Sequence, residues 1–267
     1  MLRHYYEVTK MNVEDHIDHI VKWIKTYFVE NGPNSKAVIG ISGGKDSTIA
    51  AALCVRALGA HRVIGVLMPD TVQKDIEDSH RVVKALHIPF IEVNIGPAVS
   101  KLYECIDRAY DYKKDISENP IVYSNTPARI RMTTLYAISA DVGGRVCNTC
   151  NLSEDYVGYS TKFGDAAGDF SPLSQYTVRD LMIIGDALDE IPNDLIHKKP
   201  ADGMCGKTDE DNLGFTYDTL DNFILNDVIP SYDEYQKITE LHKRNQHKLQ
   251  RMPVCRRYDG REGNLCW

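Results

Sequence analysis

One short segment constrains this chain more than any other: Ser42-Gly43-Gly44-Lys45-Asp46-Ser47, because of what stands on either side of it. Before it, residues 36–41 form an apolar run rich in β-branched side chains, the pattern of a buried strand. After it, residues 47–58 read as a helix stopped by Gly59. The alternation continues with a second strand over 62–68 closed by Pro69, a second helix over 73–86 and a third strand over 90–94. Strands alternating with helices of this length demand a parallel sheet, because parallel strands need crossovers and the crossovers are the helices. The expected fold is therefore a doubly wound α/β sheet with helices on both faces. An amphipathic helix precedes it, with Ile17, Ile20, Val21, Ile24 and Phe28 on one stripe between Val13 and Asn31. Beyond the polar, acidic stretch 111–119, Thr126-Pro127 reads as the start of another helix, and residues 142–147 as a fourth strand. With no linker, repeat or low-complexity tract, residues 1–267 are expected to form one domain.

The chemistry of the 42–47 segment follows from its position. Two glycines let the backbone turn tightly and aim N–H groups outward, the helix N-terminus adds a positive dipole end, and Ser42 and Ser47 add hydroxyl donors. Together these make a phosphate cradle. Asp46 is out of place beside phosphates unless a divalent cation lies between them, so it predicts magnesium. The segment is not a Walker loop: Gly206-Lys207-Thr208 mimics the end of one, but Ala201 stands where its first glycine belongs. The 31 basic and 38 acidic residues leave a net charge of -7, which argues against nucleic acid as the main partner. Basic residues do gather between Lys243 and Arg261, a pattern that suits either a small anionic ligand or a solvated helix end. The longest uninterrupted apolar run, 49–55, is far short of the roughly 18 residues a membrane span requires. Nothing near the N-terminus resembles a secretory signal, so a cytoplasmic location is expected. Seven cysteines lack framework spacing; Cys147 and Cys150 have the spacing of a zinc or redox pair, but no second such pair exists and ordinary thiols are expected.

The segment resembles the SGGxDS signature of the PP-loop ATP pyrophosphatases, and the wider chain more closely resembles the ammonia-dependent NAD synthetases. Further matches run in order through residues 125–131, Thr149, 151–154, 158–165 and Asp169, then Asp209-Glu210, Leu213-Gly214, Tyr217, Asp221 and His247-Lys248. The resemblance implies ATP held by Gly40, Ile41, the 42–47 cradle and Thr149, with Asp46 and Glu154 as magnesium ligands. It implies deamido-NAD contacted by Arg129, Lys162, Asp169, His247 and Lys248, and Asp165 where ammonia arrives. A carboxylate there can hold ammonium and assist loss of its proton, since only neutral ammonia is a nucleophile. Arg129 and Arg131 are expected in the first turn of a helix, where the dipole disfavours cations, so that an anion would be needed there. The implied reaction is ATP-dependent amidation of deamido-NAD through an acyl-adenylate, giving NAD, AMP and pyrophosphate. The implied assembly is a homodimer, and a separate glutamine amidase as ammonia source stays open.

Two positions depart from the family pattern. Val178 replaces an ATP-contacting lysine and Ala201 a hydroxyl residue. A cation from elsewhere is then expected at the leaving pyrophosphate: Lys207 first, Lys198 or Lys199 less so, with Lys45 inside the cradle as the fallback. The same departures keep two rivals open, a PP-loop ligase with another acceptor and a nucleotide-binding regulator that has lost catalysis.

Overall fold

The computed structural model describes residues 8–73, 75–110, 115–198 and 208–254. Four strands, β1 (Ala37–Gly40), β2 (Val63–Leu67), β3 (Phe90–Glu92) and β4 (Arg145–Val146), form one sheet in the order β3-β2-β1-β4, and every pairing is parallel. The crossovers are helical: α2 (Lys45–Leu58) follows β1 and α3 (Ile76–Ala85) follows β2. After β3 come α4 (Gly96–Ala109) and α5 (Pro120–Val142), which return the chain to β4. The N-terminal α1 (Val13–Asn31) occupies the span expected of it.

The period of two in the strands divides the core between the sheet's faces. Ala37, Ile39, Val63 and Leu67 point into one cluster with Ile17, Ile24 and Phe28 of α1 and Ile49 and Leu53 of α2. Val38, Ile64 and Val66 point into another, closed by Val99 of α4 and Ile130, Leu135 and Ile138 of α5. Both faces are covered, as parallel strands require.

The expected start of the helix at Thr126-Pro127 is corrected. α5 begins at Pro120, with the Asn119 side chain accepting the Ile121 N–H at 3.0 Å, and Pro127 lies inside the helix. The cap-then-proline logic is the same, applied seven residues earlier, and α5 absorbs one lost backbone hydrogen bond at Pro127. Arg129 and Arg131 therefore sit well inside α5 and not in its first turn, so the dipole argument made for them does not hold.

After β4 come α6 (Leu152–Val157), α7 (Val178–Asp186), α8 (Asn193–Ile196), α9 (Asp209–Leu213), α10 (Tyr217–Asn226) and α11 (Tyr232–Asn245). Part of this region packs as a third cluster, with Val157, Leu213, Phe215, Tyr217, Leu220 and Ile238 at its centre and Val178 against it. Among the described residues, no helix is long and apolar enough to cross a membrane.

Candidate active site

From β1 the chain winds outward through β2 to β3, and β4 is added on β1's other side. The strand order thus reverses between β1 and β4, and the crevice outside the carboxyl ends of these two strands is where a ligand fits in such a sheet. The 42–47 segment leaves β1 there, and residues 147–151 leave β4.

The cradle is built by its own hydroxyls. Ser42 and Ser47 Oγ atoms lie 3.0 Å apart, Ser42 N–H donates to Ser47 Oγ at 3.3 Å and Gly44 N–H donates to Ser42 Oγ at 3.2 Å. Gly43 takes φ +79°, and a Cβ there would lie 2.7 Å from Asp78 Cβ and 2.9 Å from Ser79 N. Both the left-handed backbone and the close approach to α3 require glycine at this position. Behind the turn, Ile41 N–H joins Val66 O at 2.9 Å, which anchors the Gly40–Ile41 end of β1 to the sheet.

Lys45 and Asp46 open α2. The Lys45 side chain is buried at 5% exposure, and its Nζ donates to Asp46 Oδ2 at 2.9 Å. Asp46 Oδ1 faces Asn151 Nδ2 at 3.5 Å, which links the first crossover to the segment after β4. Asn151 also caps α6: its Oδ1 accepts the Glu154 N–H at 3.0 Å while a Glu154 carboxylate oxygen accepts the Asn151 N–H at 3.3 Å. This capping box fixes Glu154 opposite Asp46. Burial pushes the Glu154 carboxyl well above the usual carboxylate range, the Asp46 charge pushes it further and Lys45 opposes both. For Lys45, burial works against the charged form, but Asp46, Glu154 and Asp209 outweigh it and the ammonium is favoured. Asp209, at the start of α9, is buried and accepts the Tyr159 hydroxyl at 3.3 Å. Among the described residues, the buried Tyr217 hydroxyl has no hydrogen-bond partner. Burial raises its pKa, as do the charges of Glu154, Asp209 and Asp46.

These donors fit a hard divalent cation. Among the described residues, no three His, Cys, Asp or Glu side chains converge as a complete site. Two carboxylates completed by phosphate oxygens and water are the usual way magnesium is held at a nucleotide.

A second group lies on the 158–165 loop. Lys248 Nζ donates to the Gly158 and Ser160 carbonyls at 2.8 and 2.9 Å, Lys162 Nζ to His247 O at 2.5 Å, and Arg129 Nε to Lys162 O at 3.2 Å. Arg129, Lys162, His247 and Lys248, scattered over 120 positions of sequence by their numbering, are thus brought together. Asp165 accepts the Thr161 N–H at 3.0 Å; desolvation raises its carboxyl and the Lys248 charge works the other way. Asp169 is elsewhere in this arrangement: Val146 N–H and the Tyr136 hydroxyl donate to its carboxylate at 2.7 and 3.3 Å, so it ties β4 to α5. Thr149 lies half-buried between β4 and α6.

Sequence reasoning passed over Asp155, whose carboxyl burial and the Asp165 charge push up to about 6. It also noted Asp209 and Tyr217 only as matches, without a task. The signal available for Asp155 was its adjacency to Glu154. Lys199, Ala201 and Lys207 lie outside the described residues. Lys198 Nζ donates to Asp75 and Asp78 at 2.9 and 2.8 Å, and Asp78 lies against Gly43 of the cradle. Cys147 and Cys150 are buried free thiols whose pKa values burial raises, as expected of structural cysteines.

The family model for NAD synthase matches residues 16–253. The chain belongs to the NAD synthase family. Among curated relatives, the NH(3)-dependent NAD(+) synthetase of Pyrococcus furiosus is 33% identical over 259 residues, covering 92% of this chain and 95% of the relative. Among solved structures, the NMN synthetase from Francisella tularensis superposes with a TM-score of 0.82 at 30% identity, covering 91% of this chain and 98% of the other. The NAD+ synthetase from Burkholderia pseudomallei gives a TM-score of 0.74 at 22% identity over 93% and 92% of the two chains, a likeness of fold. Membership of the family makes the chain a ligase that forms a C–N bond with ATP.

Proposed function

We propose that the chain amidates deamido-NAD with ammonia, consuming ATP and releasing NAD, AMP and pyrophosphate. The observation that carries this reading is the pairing of Asp46, in a phosphate loop, with Glu154 across the crevice at the sheet's reversal. A regulator that only binds nucleotide has no use for two carboxylates facing phosphate. Asp46 and Glu154 would hold magnesium, whose chemistry there is neutralisation of charge developing on the phosphates.

Ser42, Gly43, Gly44 and Ser47 present hydroxyls and backbone N–H groups to the β- and γ-phosphates, aligning the α-phosphorus for attack by the acceptor carboxylate. The acyl-adenylate that forms has AMP as its leaving group, so ammonia faces a much easier substitution than at a free carboxylate. Arg129, Lys162 and Lys248 supply positive charge for the acceptor's own phosphates, and the His247 ring a polar contact beside them. Asp165, with Asp155 beside it, draws in ammonium, and its raised pKa suits it to take the proton that frees the attacking lone pair.

Supplying ATP, magnesium, ammonium and deamido-NAD and following products by mass spectrometry tests this. NAD with stoichiometric AMP is expected, whereas ADP with orthophosphate, or AMP formation indifferent to the acceptor, would overturn it. The TM-score of 0.82 to an NMN synthetase, against 0.74 to the Burkholderia pseudomallei NAD+ synthetase, favours one further reading, in which the acceptor is the deamido mononucleotide. The ratio of kcat/KM for the two acceptors decides between them. Free thiols suit a cytoplasmic enzyme, and the apolar exposed residues of α5 suit a homodimer.

A further inference from the structure

Lys45 is an unusual tenant of the site. A lysine ammonium is strongly hydrated and is rarely buried unless paired. Here it is 5% exposed, lies 2.9 Å from Asp46 Oδ2, and is in the field of Glu154 and Asp209. Three acidic side chains crowd around one base, and the Tyr217 hydroxyl, without a hydrogen-bond partner among the described residues, adds a polar group to the same enclosure. One carboxylate that the nucleotide's metal needs is therefore already paired with a cation belonging to the protein. At the same time, the position where a phosphate-binding lysine would stand in this family is Val178, whose side chain packs against the third apolar cluster and carries no donor.

These facts join if the ammonium has two partners in turn. Resting on the metal assignment under Proposed function, we propose that Lys45 is an internal counter-cation of the site: without nucleotide it neutralises Asp46, and when nucleotide-bound magnesium takes that carboxylate, the ammonium transfers to the oxygens of the leaving pyrophosphate. No covalent bond changes. The charge accounting is consistent, since Asp46 is matched in both states and the pyrophosphate receives the cation that Val178 does not provide. Lys45 opens the helix that follows the glycine turn, so its amine belongs to the same segment as the cradle and its transfer asks for no movement of the sheet. Free divalent ions, by contrast, must displace the ammonium with no phosphate to receive it, so they bind poorly alone.

The experiment is Mn2+ binding to nucleotide-free protein, read by the free-ion signal in electron paramagnetic resonance. Lys45→Gln is expected to bind Mn2+ about tenfold or more tightly than the native chain, because one competing charge at contact distance is gone. In steady-state turnover the same variant should show pyrophosphate inhibition weakened about tenfold, the loss of one charge-assisted hydrogen bond. Unchanged or weaker Mn2+ affinity in Lys45→Gln, or unchanged pyrophosphate inhibition, overturns the proposal. The native protein gives a check that needs no folded variant: MgATP should raise its Tm and millimolar Mg2+ alone should not, and equal shifts from both overturn the proposal. Asp46→Asn separates the two layers. If it retains native Mn2+ affinity in the presence of ATP, the metal assignment itself is what fails, whatever Lys45 does.

Discussion

Asp155 and Asp221 show how a single perturbation can carry opposite consequences. Burial is the largest cause in both, and both carboxyls are raised from 3.8 to about 6. An acid with a raised folded-state pKa holds its proton more tightly when folded. Its contribution to stability is present in full below pH 3.8 and is lost as pH rises to about 6. Asp155→Asn removes that loss. Chemical denaturation should find the variant more stable than the native chain at pH 8, by about 1 to 3 kcal/mol after discounting for partial exposure, with the gap closing towards pH 4. A variant no more stable at pH 8 would show that the Asp155 carboxyl is not strained. Under the proposed function, so costly a charge beside Asp165 would serve to draw in ammonium. Asp46 was legible from the residues themselves, because a carboxylate in a phosphate loop implies a metal, whereas Glu154, Asp165, Lys162 and Lys248 came only through the family resemblance. Asp155 was not, because its pKa comes from what the fold packs around it.

At the scale of elements, the N-terminus of α7 ties the region after β4 together. Thr177 and Asp180 form a capping box; the Val178 N–H donates to Ser153 Oγ of α6 at 3.0 Å, and the Arg179 N–H to Asp221 Oδ2 of α10 at 2.8 Å. Ser153 Oγ in turn donates to Asp221 Oδ1 at 2.5 Å. Both Asp221 oxygens accept, so an amide would turn its NH2 towards one of these donors. Asp221→Asn is therefore expected to destabilise the protein by about 1 to 3 kcal/mol at pH 8, opposite in sign to Asp155→Asn despite the shared pKa. A urea midpoint equal to the native one would refute the bridging role. The βαβαβ order was legible because strand and helix periods differ and glycine and proline mark the joins. The start of α5 was not, because Asn119-Pro120 and Thr126-Pro127 carry the same local signal, and the helix takes the earlier of two cap-then-proline sites. Short α8 and α9 had no periodicity to read, and the α6–α7–α10 bridge depends on contacts between residues far apart in sequence.

At the scale of the molecule, α5 is the element that the described chain leaves least explained. Of its 23 residues only Pro127 and Ser139 are buried, although most of its length is apolar or small. Ile121 and Tyr123 are 70% and 51% exposed, and edge strand β3 leaves Phe90 and Ile91 at 48% and 38%. Scattered apolar residues on a surface are ordinary, but a long helix with no polar stripe indicates burial on more than one side. A second copy of the chain is the occupant that the family resemblance implies, and a stable pair would cover about 1,200 to 2,000 Å² in total. Light scattering at micromolar concentration should report a dimer, and Ile121→Asp with Tyr123→Asp should shift it to monomer, since each carboxylate would be stranded in an apolar contact. Because α5 also carries Arg129, whose Nε holds the Lys162 carbonyl of the acceptor loop at 3.2 Å, separating the subunits should loosen that loop. The acceptor KM is then expected to rise in the monomeric variant while ATP binding, centred on the β1 cradle, stays near native. A native chain that is monomeric at micromolar concentration and fully active would remove α5 from the assembly and leave its apolar surface to some other partner.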